Sequence, residues 1–199
     1  MYTVRFSLLA LPFLLMTFST GTVLADHPPF ATAVLEYSDN PVNRKFYAVI
    51  TQNDLKALKA MLAAGANPNV SDSKRVSPIH YAAHLGNVDA LKMLVEKGAY
   101  LHTSVFGGWS AMHYAAFAGR VDAGKYLASA GALLDSEDAG GETPLFYAIE
   151  GGNLAMVQWL VEQGADARHA NNKGETPMAV AVEKNQAEII AYLKTRGVQ

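Results

Sequence analysis

Two short patterns recur along this chain with one common period, and that constrains the fold more than any bulk property does. Gly-Ala pairs begin at Gly65, Gly98, Gly131 and Gly164, and Gly197-Val198 completes the series. The stretches SPIHYA, SAMHYA, TPLFYA and TPMAVA begin at Ser77, Ser110, Thr143 and Thr176. Every step in both series is 33 residues. A fixed period of this size marks a stack of small units, none of which can bury its own apolar face alone.

Each unit predicts two short helices and a turn. In TPLFYAIEGGNLAMVQWLVEQGAD, Thr143 caps the first helix and Pro144 occupies its first position, where a missing N–H costs nothing. Gly151-Gly152 ends that helix. Leu154, Val157, Leu160 and Val161 then give an apolar stripe at helical spacing, and Gly164 supplies a left-handed stop. About ten residues of turn chemistry, such as DARHANNKGE, precede the next Thr-Pro.

These motifs resemble the ankyrin repeat, whose pattern is Thr-Pro-Leu-His-x-Ala-Ala-x-x-Gly followed by Leu-Leu-x-x-Gly-Ala-Asp. Residues 77 to 100 and 143 to 166 match it closely, and the likeness extends from about Pro41 to Val198. The fold expected is all-α: a solenoid of about five helix-turn-helix repeats with β-turn fingers, near 42–70, 71–103, 104–136, 137–169 and 170–199. The first repeat lacks the Thr-Pro opening. The fifth lacks the His and turns polar with Glu183, Lys184, Glu188, Lys194 and Arg196, as a terminal repeat facing water requires.

Ahead of the repeats, MYTVRFSLLALPFLLMTFSTGTVLA carries the single charge Arg5, an apolar stretch and a small-residue ending at Val23-Leu24-Ala25. It is expected to be a signal peptide cleaved before Asp26, with residues 26–41 as a lead-in. The alternative is an inner-membrane anchor, because Phe6 to Ala25 is an uncharged run of 20 residues. Membrane association follows only if residues 6–25 are retained. Either way the repeat domain leaves the cytoplasm, and a chain without cysteine suits a bacterial periplasm. The resemblance extends to exported bacterial ankyrin proteins, some associated with catalase function and oxidative-stress protection.

Several kinds of chemistry are not expected. With 16 basic and 18 acidic residues and no basic run, the chain lacks what a nucleic-acid binder needs to neutralise phosphate. The absence of cysteine removes disulfides, thiolate metal sites and thiol nucleophiles. There is no Gly-x-Ser-x-Gly elbow, and Gly107-Gly108 and Gly140-Gly141 fall in turns rather than in a phosphate loop. His80 and His84 have metal-ligand spacing, but the resemblance gives His80 and His113 a structural hydrogen bond between loops. Tyr81, Tyr114 and Tyr147, each 33 apart, are expected to pack in the core. No catalysis, cofactor, metal or small-molecule substrate is anticipated.

The resemblance implies that a protein partner binds the turn tips and the concave face of the first helices, at positions that vary between repeats. Those positions run from basic (Lys74, Arg75, with His84) through aromatic (Phe106, Trp109, Phe117) to acidic (Glu142, Glu150). Aromatic residues inside a charged rim resemble a binding hot spot. Val105 replaces the Asp found at its equivalents Asp72 and Asp138. On this reading Trp109 is a surface anchor, and two functions are expected: an inhibitor or immunity protein covering a toxin or hydrolase, or a scaffold supporting an oxidative-stress enzyme such as catalase.

Overall fold

The computed structural model describes residues 41–71, 75–105 and 107–198. The expected signal peptide and most of the lead-in lie outside the described residues, as do Lys74 and Phe106.

Among the described residues there are ten helices and no strand. They form five pairs: α1 (Pro41–Thr51) with α2 (Leu55–Ala63), α3 (Pro78–Leu85) with α4 (Val88–Glu96), α5 (Ala111–Phe117) with α6 (Val121–Ser129), α7 (Pro144–Glu150) with α8 (Leu154–Glu162), and α9 (Pro177–Glu183) with α10 (Ala187–Thr195). Ser77, Ser110, Thr143 and Thr176 precede the first helices of repeats two to five at the expected positions, but the Thr143 hydroxyl, expected to cap α7, makes no cap hydrogen bond. Helices this short are marginal alone in water, so their stability comes from stacking.

The core is built from rows of equivalent residues. Phe46, Ile79, Met112, Leu145 and Met178 occupy one position of the first helices, and all are buried. Leu94, Leu127, Leu160 and Leu193 form a second row in the outer helices, each fully buried. The first helices approach one another more closely than the second helices do. Small side chains permit this: Ala82, Ala83, Ala115, Ala116, Ala148 and Ala181 are all at 0% exposure. The stack therefore curves with the first helices on its inner face.

Between the helices of each pair the chain passes through a left-handed residue at the same register position: Asn53, Gly86, Gly119, Gly152 and Asn185. The terminal repeats use Asn, which tolerates this region better than most side chains. An interior repeat has less room, since a Cβ at Gly119 would stand 2.5 Å from Asn153 Oδ1. That neighbour belongs to a ladder between repeats. Asn87 Nδ2 donates to Asn53 Oδ1 at 2.6 Å, Arg120 Nε to the His84 carbonyl at 3.1 Å, and Asn153 Nδ2 to the Phe117 carbonyl at 2.7 Å.

Candidate functional site

The fingers are tight turns that precede the first helices. The third closes with Val105 N–H to the Trp109 carbonyl (3.1 Å), the fourth with Asp138 to Glu142 (3.0 Å), and the fifth with Asn171 to Glu175 (2.9 Å). Adjacent fingers are stitched through the backbone, with Ala139 N–H on the Gly107 carbonyl at 2.8 Å and Asn172 N–H on the Gly140 carbonyl at 2.9 Å. The left-handed position of each turn is Gly108, Gly141 or Gly174, and Arg75 holds the same conformation in the second repeat.

His80 and His113 tie fingers to helices, as the resemblance implied. The backbone N–H of Ser77 donates to His80 Nδ1 at 3.1 Å, which fixes the proton on Nε2, and that atom donates to the Thr103 carbonyl at 3.1 Å. His113 repeats the arrangement with Ser110 N–H (3.0 Å) and the Glu142 carbonyl (3.1 Å). Burial disfavours the imidazolium so strongly that both are lowered to about 4. Both nitrogens of His80 are thus engaged, which leaves none for a metal shared with His84.

The fourth and fifth fingers use oxygen acceptors. Asp138 Oδ1 accepts the N–H groups of Gly140 and Glu142, each at 2.8 Å, while Oδ2 accepts the Tyr147 hydroxyl at 2.6 Å. Asn171 Oδ1 accepts from Lys173 and Glu175, and its Nδ2 donates to Glu142 Oε1 at 3.1 Å. Asp138 is half-buried beneath its finger.

Val105 has no such acceptor, and the third finger is held by packing instead. This corrects the expectation for Trp109, which is 4% exposed and not a surface anchor. Its ring lies 3.9 Å from that of Tyr147, 5.7 Å from Tyr114 and 6.3 Å from Phe117, centroid to centroid. The physical reason is register: the position that carries Glu142 and Glu175 in later repeats lies at the finger base, where a large apolar ring turns inward onto the next repeat. Tyr114 and Tyr147 are buried as expected, and Tyr81 is half-buried.

The remaining candidates lie in order along the inner face. His84, Phe117, Glu150 and Glu183 occupy equivalent positions near the ends of their helices, the first three half-buried and the last exposed. Burial, followed by Arg120, lowers the His84 imidazole. Glu150 is pushed up to about 7, first by burial and then by Glu142, with Lys184 acting in the opposite sense. Arg75 is exposed at the second repeat, and Glu142 is half-buried at the fourth. Of the charges expected along this face, Lys74 lies outside the described residues and burial disfavours the charged forms of both His84 and Glu150, between which Phe117 stands half-buried. The raised carboxyl of Glu150 carried no sequence signal, because it depends on Glu142 and Asp138 arriving from another segment.

Among the described residues no group of three or more His, Asp or Glu is placed to hold a metal ion. No helix among them is long and apolar enough to cross a membrane.

Residues 46–138 and 132–199 match the family model Ankyrin repeats (3 copies). The chain is an ankyrin-repeat protein. No curated protein matches it. Ankyrin repeats are generic protein–protein interaction modules.

Proposed function

We propose that this ankyrin-repeat protein is exported to the periplasm and binds one protein partner there, as an inhibitor or immunity protein covering the active site of a toxin or hydrolase. The observation that supports this best is the row His84, Phe117, Glu150 and Glu183, which passes from a half-buried ring to exposed carboxylate across adjacent rigid helices. Such a face suits a partner that presents a basic loop beside an apolar anchor, because opposite charge steers encounter and a ring supplies desolvated contact. Arg75, His84, Phe117, Glu142 and Glu150 are the proposed contacts; Lys74 and Phe106, also expected from the sequence, lie outside the described residues. The apolar stretch ending at Val23-Leu24-Ala25 supports export.

The test is capture from native envelope extract by residues 26–199, run beside Phe117→Ala and Glu142→Gln. A toxin or hydrolase retained in one-to-one ratio, inhibited by the ankyrin protein and lost with either variant, supports the reading. A catalase or related enzyme retained and still active replaces inhibition with the scaffold role. No stoichiometric protein retained removes both.

A further inference from the structure

The outer helices carry an open groove, on the face opposite the row His84, Phe117, Glu150 and Glu183. It lies between α2 and α4 and encloses about 340 Å³. Leu55, Leu62 and Met93 form its apolar floor, and Lys59, Lys92 and Lys97 line its rim. We propose that this groove binds a single-chain anionic amphiphile, an alkyl carboxylate or alkyl phosphate. Its chain lies along the apolar floor and its head group among the lysines.

Met93 is the reason the groove is open. The same register position holds Tyr126, Trp159 and Tyr192 in the three repeats that follow. Two of these rings demonstrably reach back to the preceding outer helix. Trp159 stands 2.9 Å from where a Cβ at Gly124 of α6 would be, and the Tyr192 hydroxyl donates to the Gln158 carbonyl of α8 at 3.3 Å. Met93 is unbranched and only half-buried, and a flexible thioether adapts its shape to an apolar guest. Later grooves are filled by the protein's own rings, whereas the first is left for a ligand.

The sign of the rim follows from a second departure. Lys59, Lys92 and Lys125 recur at 33-residue spacing on α2, α4 and α6. In α4 and α6 an aspartate three residues earlier pairs with the lysine, Asp89 with Lys92 and Asp122 with Lys125, each at 3.5 Å. In α2 that position is Lys56, which is exposed. It lies in the first turn of the helix, where the macrodipole favours a carboxylate, so the reversal runs against local preference. Asp89 and Glu96 also line the groove, yet with Lys56 beside it cations outnumber carboxylates two to one. That surplus selects an anion.

Size and shape set the rest. Ligand sites run from about 300 to 1,000 Å³, so this groove holds one chain rather than two. The helices that wall it have nine residues each. They are therefore ~13 Å long, which suits a chain of medium length. An anion without a chain would leave Leu55 and Met93 in water.

Isothermal titration calorimetry on the purified protein tests it. The probe is dodecanoate below its micelle concentration, with dodecyltrimethylammonium and butyrate as controls. The expected result is one-to-one binding of dodecanoate, ~10-fold or more tighter than either control. Met93→Tyr closes the groove as the next repeat does, so it should abolish binding while the urea midpoint stays unchanged or rises. Lys59→Glu, at the exposed rim, should weaken binding about 5-fold and leave the fold intact. It decides the matter if Met93→Tyr does not fold. No heat from dodecanoate overturns the proposal, as does equal binding of the cationic amphiphile or of butyrate. So does binding that survives a folded Met93→Tyr or is indifferent to Lys59→Glu. Retention on anionic phospholipid vesicles without binding of dissolved dodecanoate also overturns it, and makes a bilayer surface the occupant.

Discussion

Repeats two and three each tie a helix cap to backbone further along the chain through a buried histidine, whereas repeats four and five satisfy the amides of their own finger turns with a carboxylate or an amide. In the first pair His80 and His113 each bridge their helix cap to the following segment. In the second pair Phe146 and Ala179 stand at the histidine position, and Asp138 and Asn171 satisfy the turn amides from below. One consequence is visible at the cap: Thr143 Oγ1, equivalent to the serine hydroxyls bonded to those histidines, is buried without a hydrogen-bond partner. The same 33-residue frame thus accepts two ways of satisfying backbone groups around the fingers. They differ in their response to pH.

The largest effect is expected at the boundary between the two halves. Trp109→Ala removes a buried ring from between Tyr114 and Tyr147 and should cost about 3 kcal/mol or more, read as a shift in urea midpoint. An unchanged midpoint with lost partner binding would restore Trp109 as a surface anchor.

Next come the histidines. The folded state holds both neutral down to about 4, against an ordinary 6.5 in the unfolded chain. Between these values the unfolded state binds more protons, so stability falls as pH drops from 6.5 through 4, by up to ~3 kcal/mol for each group. His113→Phe, the solution repeat four already uses, should destabilise the protein at pH 7 yet flatten this acid limb. A series of urea titrations from pH 7 to pH 4 measures both effects.

Asp138→Ala should cost about 2 kcal/mol, because three donors lose one acceptor while the turn itself can still form. Calorimetry compares it with His113→Phe, and a larger loss for Asp138 would reverse the order of the two fastenings. The smallest effect belongs to Glu150. Its folded value of about 7 exceeds the unfolded one, so its penalty is absent below the ordinary carboxylate range and complete above 7. Glu150→Gln should therefore raise the melting temperature at pH 8 and leave it unchanged at pH 4. The gain stays below about 1 kcal/mol because the group is partly solvated.

The sequence by itself determined the repeat length, the paired helices, their caps and the left-handed positions, because each follows from local chemistry and recurs in register. It also disclosed the roles of His80 and His113 through their resemblance to a known pattern. Which aromatic side is solvent-facing was decided only by stacking. Trp109 and Phe117 both fall at variable positions, yet one is enclosed by Tyr147 of the next repeat and the other is only half-buried. Gly124 makes the same point in the outer layer. It is a buried glycine inside α6, and a Cβ there would meet Trp159 of the next repeat at 2.9 Å. A glycine that local propensity disfavours is held because a ring 35 residues away fills its place. The local pattern sets where each side chain points along its own unit. Only the neighbouring repeat decides what that side chain meets, and with it what is buried, charged or open to a partner.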